Sequence, residues 1–136
     1  MKNILTAIFI ALALFGCTNK KAQEKALLDG VIKVHDKVMG ADERLMNNKI
    51  LLDSMVKYNS TADIKDSVYM YLDHVNRADS AMATWMHNFD PDHTGKSDDE
   101  TMAYMSNQKK QIMAIYSQLN KAITISDKYL VKMKMK

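Results

Sequence analysis

Cysteine, proline and glycine are all scarce in this chain of 136 residues, which holds one Cys, one Pro and four Gly. A single cysteine, Cys17, excludes an internal disulfide. A single proline, Pro91, leaves long stretches with nothing to break a helix. No glycine-rich phosphate loop can be assembled, and neither can a nucleophile beside a base or a pair of acids in a dry pocket. An excess of one charge is missing too. The 19 Lys plus Arg stand against 16 Asp plus Glu, a balance that argues against nucleic acid as a partner. No strand alternation and no repeat of 20 to 50 residues competes with a helical reading.

The N-terminus is richer. "MKNILTAIFIALALFGC" carries one charge, Lys2, then an uncharged and largely apolar run from Ile4 to Phe15, then Gly16 and Cys17. The run is too short for a spanning helix and fits a secretory signal. Leu14-Phe15-Gly16-Cys17 resembles the bacterial lipobox, with Phe15 where a small or hydroxyl residue is usual. The resemblance implies a signal peptide at 1–16, a lipidated Cys17 as mature N-terminus, a short tether at 17–21 and a helical domain at 22–136. Two or three acyl chains, at about 0.8 kcal/mol per buried methylene, anchor a protein stably. Acylation of Cys17 also removes the only thiol and with it any thiolate metal site.

Beyond the tether, apolar residues recur at spacings of four and three. The first stripe is Leu27, Val31, Val34, Val38, Ala41, Leu45, Leu52 and Met55, interrupted by Asn48. The second is Ile64, Val68, Tyr71, Val75, Ala78, Met82, Trp85 and Phe89. The third is Met105, Ile112, Ile115, Leu119, Ala122, Tyr129 and Met133, interrupted by Gln108 and Ser126. Such heptads keep one helix face apolar over many turns and favour small crossing angles. The expected fold is all-α, an antiparallel up-down-up three-helix bundle with helices near 22–57, 62–89 and 98–134, each roughly 40 to 55 Å long.

Polar breaks separate the stripes. "YNST" at 58–61 reads as a turn, with Ser60 and Asp63 placed to cap the second helix. Pro91 and Gly95 close the second helix. Gly40 lies inside the first, where glycine costs about 1 kcal/mol relative to alanine, so a kink or short break is expected after Val38-Met39 and fraying near Gly30.

Three blocks, "VHDKVMGADERL" at 34–45, "ADSAMATWMHNFDP" at 78–91 and "MAYMSNQKKQI" at 102–112, resemble a family of small Gram-negative lipoproteins labelled "viral A-type inclusion protein". The shared features are His35, Asp36, Val38 and Met39 on the first helix, Trp85 and Met86 on the second, and a third helix rich in lysine and glutamine. That family commonly carries proline where this chain has Gly40, which agrees with a kink. The resemblance implies a helical envelope lipoprotein and brings no known activity.

"FDPDHTGKSDDET" at 89–101 approximates a calcium loop. Asp90, Asp92, Thr94 and Asp98 fall where an EF-hand places ligands, and Gly95 where it turns. The closing bidentate glutamate is missing, since Thr101 occupies its place and Glu100 is one residue early. A capping box explains that glutamate better. The Ser97 side chain takes the backbone N–H three residues on, Glu100 reaches back, and Asp98 and Asp99 sit in the first helical turn, where negative charge is favoured. In an up-down-up bundle this acidic loop faces the membrane that holds Cys17, and its charge serves orientation near headgroups.

Two further patterns carry alternatives. His35 and Met39 share a helix face, and Trp85-Met86-His87 approaches them if the first two helices are antiparallel neighbours. Thioether and imidazole ligands suit Cu(I), so His35, Met39, Met86 and His87 form a candidate copper site. The plainer reading is a core centred on Trp85 with His35 as a polar partner and no cofactor. Asp53-Ser54-Met55, Asp66-Ser67-Val68 and Asp79-Ser80-Ala81 resemble a bacterial O-glycosylation sequon, which would mark Ser54, Ser67 and Ser80. Lys128, Lys132, Lys134 and Lys136 crowd the C-terminus, where cations complement the helix dipole. The expected protein is a lipid-anchored, non-catalytic envelope component that meets a protein partner or a second copy of itself, with periplasmic copper binding as the alternative.

Overall fold

A computed structural model describes residues 2–58 and 61–134, with side chains from Lys20 onward. Three helices account for nearly all of it: α1 (Lys2–Tyr58), α2 (Ala62–Asn88) and α3 (Asp98–Lys134). They pack against one another as an all-α bundle. Lys20 pairs with Asp99, and Asn48 bonds to Ser126 and Asp127. α1 and α3 therefore run parallel at a constant offset along the chain, with α2 antiparallel to both.

The heptads fill the core as their spacing dictates. Val31, Val38, Leu45 and Leu52, seven residues apart on α1, are fully buried. They meet Val68, Val75, Ala78, Met82 and Trp85 from α2 and Met105, Ile112, Leu119 and Ala122 from α3. Leu72, Ile123 and Leu130 also enter the core, each one position beyond its stripe. A helix facing two neighbours buries a wider sector than a two-helix seam does.

Helix α1 runs through the tether segment 17–21, where "TNKKAQEK" contains no breaker. Two local expectations are corrected. No break occurs at Gly40, since α1 continues through it. Packing of Val38, Ala41 and Leu45 on one face holds the helix together, and that outweighs a propensity deficit of about 1 kcal/mol. The α2 N-cap is Thr61, whose side chain makes no capping bond. Ser60 lies outside the described residues.

Candidate functional site

The loop at 89–97 is built from its own hydrogen bonds. Asp90 Oδ1 accepts from the Asp92 N–H at 2.9 Å, and Asp92 Oδ1 accepts from the Thr94 N–H at 2.9 Å and the Thr94 hydroxyl at 2.6 Å. These are Asx turns. A further turn closes with Lys96 N–H donating to the His93 carbonyl at 3.0 Å around Gly95, whose φ of +84° suits the third position of a type II turn. Lys96 Nζ stands 3.5 Å from Asp90 Oδ2 and 5.0 Å from the centre of the Tyr104 ring. Tyr104 Oη in turn accepts from the Asp90 N–H at 2.8 Å. Thr94 hydrogen bonds, from hydroxyl first and then backbone, hold the Asp92 carboxyl below its usual range.

The capping box is present in full. The Ser97 N–H and hydroxyl both donate to Glu100 Oε2 at 2.8 Å, and the Glu100 N–H donates to Ser97 Oγ at 3.3 Å. Those bonds keep Glu100 below the usual carboxylate range. Glu100 is thus committed to starting α3. Among the described residues, no three His, Cys, Asp or Glu side chains gather as a metal-holding group.

The α1–α2 seam holds a different arrangement. Val31, Ile32 and His35 from α1 and Trp85, Met86 and Phe89 from α2 line a groove of about 200 Å³. The His35 and Trp85 rings lie 6.2 Å apart, so antiparallel packing brings together the two blocks that stood out in the sequence. Phe89 stacks on Trp85 at 5.0 Å. Trp85 is 6% exposed, and its indole N–H has no acceptor among the described residues. His35 Nδ1 lies 3.3 Å from Asp36 Oδ1. Met86 is 48% exposed at the groove, while Met39, one turn along α1 from His35, is 44% exposed. His87 is exposed and does not line the groove. Residues i and i+1 on a helix do not share a face, so His87 turns away when Met86 faces α1.

Deeper along this seam, Asp42 is raised above the ordinary carboxylate range, first by burial and then by the charge of Asp79 across the helix pair. Lys49 Nζ, 3.9 Å from Asp79 Oδ2, partly offsets that repulsion. Sequence spacing within one helix carried no sign of the Asp42–Asp79 approach, because it depends on the register between two.

Of the three serines, Ser54 and Ser80 are exposed, and Ser67 is half-buried beside Tyr71 and Tyr129. The Ser54 and Ser67 hydroxyls donate to the carbonyls of Ile50 and Asp63, at 2.8 and 3.0 Å. At the opposite end of the bundle from the 89–97 loop, Leu51, Met55, Ile64, Leu130, Met133 and Lys134 line a second groove of about 260 Å³. Lys132 and Lys134 occupy the last turn of α3, and Lys136 lies outside the described residues. The Cys17 side chain lies outside the described ones as well. Among the described residues no helix is long and apolar enough to cross a membrane. No protein-family model, curated protein or solved structure matches the chain.

Proposed function

We propose that this chain is a lipid-anchored protein of the bacterial cell envelope that binds or spaces a partner and performs no catalysis. In this reading residues 1–16 direct export, Cys17 is acylated, and the bundle stands in the periplasm, as the resemblance to envelope lipoproteins implies. The observation that carries it is the continuity of α1 from Lys2 to Tyr58. The lipobox-like sequence leads straight into the longest helix of the bundle, so an anchor at Cys17 would orient the whole domain. The Lys20–Asp99 pair joins the start of α3 to the part of α1 that follows Cys17, so such an anchor would hold the 89–97 loop near the bilayer.

The far end then points away from the bilayer, and its surface suits a partner. Ile50, Leu51, Tyr58, Tyr69, Met70 and Val131 are exposed there, six of the ten exposed large apolar side chains among the described residues. Exposed Lys57, Lys128, Lys132 and Lys134 lie on the same stretch of the bundle, as do exposed Asp53, Asp63 and Asp66. Apolar residues among charges of both signs fit a partly apolar protein surface or a second copy of this chain. Nucleic acid is not among the partners proposed.

Anchoring is tested by expressing the chain in a Gram-negative host supplied with an alkyne-bearing fatty acid. The expected product starts at Cys17, carries the label and sediments with membranes, and Cys17→Ala loses both label and sedimentation. A mature chain that keeps residues 1–16, or one without acyl groups, overturns the proposal.

A further inference from the structure

We propose that the α1–α2 groove is a Cu(I) site, with His35 Nε2 and the Met86 thioether as its built donors, Met39 as a third, and the Trp85 ring as its floor. His35 and Met86 line one groove from opposite helices, and the buried Trp85 lines it with them. Asp36 Oδ1 lies 3.3 Å from His35 Nδ1, where a carboxylate backs a metal-bound histidine, and Nε2 is then the nitrogen assigned to the ion. Met39, one turn along α1 from His35, is exposed and does not line the groove, so it joins the set only if its side chain turns toward the ion. Both methionines are half exposed, so their three-bond side chains can turn toward an ion without unpacking the core.

The donor set selects the ion. One imidazole with two thioethers is soft and uncharged, which suits Cu(I) and disfavours Mg²⁺ and Ca²⁺, whose ligands are oxygens. Zn²⁺ prefers several imidazoles, thiolates or carboxylates, and the groove offers a single imidazole. Val31, Ile32 and Phe89 keep its walls apolar. An aromatic face beside a cation adds attraction through the ring quadrupole, and Phe89 stacking at 5.0 Å keeps the Trp85 ring in place. His87 is outside the set. The site does not depend on lipid anchoring, so the two proposals fail separately.

Trp85 is the only tryptophan in the chain, so its fluorescence reports this groove alone. The full chain in detergent carries Cys17→Ser, which removes the one competing thiol. It is titrated anaerobically with Cu(I) against a competing chelator, and separately with Ag(I). Saturable quenching at one ion per chain is expected, with Zn²⁺ at least 100-fold weaker. Met86→Leu and His35→Gln each weaken binding 10-fold or more and Met39→Leu less, while Met113→Leu, a half-exposed methionine on α3, leaves it unchanged. Absence of stoichiometric quenching overturns the site. So does equal affinity in Met86→Leu and the parent, with circular dichroism confirming that both are folded.

Discussion

The Asn48 side-chain amide donates to Ser126 Oγ at 2.8 Å across the α1–α3 interface. The same amide donates to Asp127 Oδ1 at 2.7 Å, and Asp127 also pairs with Arg44. The Ser126 hydroxyl in turn donates to the Ala122 carbonyl at 2.7 Å. A buried polar layer of this kind fixes the stagger of two parallel helices, because a slip of one turn would strand every member. Asn48→Ala removes the shared donor and is expected to cost about 1–3 kcal/mol in urea unfolding. A cycle with Ser126→Ala should show coupling of at least about 0.5 kcal/mol, as expected for bonded neighbours. Additive effects would mean that the pair does not set the register.

Both members of that layer interrupt apolar stripes, and the sequence displays each interruption without showing that they meet. The stripes are legible because a heptad repeat has only one way to bury itself. Val31, Val38, Leu45 and Leu52 sit where spacing puts them. Leu72, Ile123 and Leu130 escaped because two-position counting describes a narrower face than a three-helix core requires. The proximity of His35 and Trp85 follows from the antiparallel pairing of α1 with α2. Which thioethers line the groove does not, since that depends on the rotation of each helix about its axis. The helical state of 17–21 was equally hidden, because polar residues between an apolar run and a heptad suit either a tether or a helix.

Three glycines should respond differently to alanine. A methyl at Gly40 meets nothing within 4 Å, so Gly40→Ala is expected to stabilise the protein by about 0.5–1 kcal/mol. At Gly30 the new carbon would stand 2.9 Å from Lys109 Nζ and 3.1 Å from its Cε. The lysine must move aside, and the gain should fall below that at Gly40. Gly95→Ala forces a side chain into the left-handed region at φ +84° and should destabilise by about 1 kcal/mol or more. Thermal midpoints of the three variants, each against the parent, give the order Gly40, Gly30, Gly95.

The capping box makes a directional pH prediction. Glu100 and Asp92 are both held below their ordinary ranges by hydrogen bonds, so the folded state binds their protons less readily than the unfolded chain. Their contribution is present above the unfolded carboxylate range and is lost as pH falls through the depressed folded values. Asp42 has the opposite sign. Its folded value is raised by burial and Asp79, so its relative contribution is complete at low pH and lost as pH rises through that raised value. Ser97→Ala should therefore cost about 1 kcal/mol at neutral pH and reduce the loss of stability on acidification. Asp42→Asn should slightly raise stability at neutral pH and leave it unchanged in acid. A Ser97→Ala profile parallel to the parent at every pH would defeat the argument.

Calcium should leave the protein unmoved, and the reason is where the loop oxygens already point. Asp90 Oδ1 and Asp92 Oδ1 accept from backbone N–H groups at 2.9 Å, and Lys96 Nζ stands 3.5 Å from Asp90 Oδ2, where an ion would need to sit. Glu100, the carboxylate nearest the closing position, is held by Ser97 at 2.8 Å. A calcium ion must displace the Lys96 cation and draw Glu100 out of the capping box before gaining its own ligands. Were it to bind, a concentration 100 times the dissociation constant would add about 2.7 kcal/mol. In a domain of this size that shifts the thermal midpoint by several degrees. Scans with millimolar calcium and with chelator are expected to superimpose. A reproducible rise of about 3 °C or more, abolished by Asp92→Asn, would show that the loop exchanges its internal hydrogen bonds for an ion.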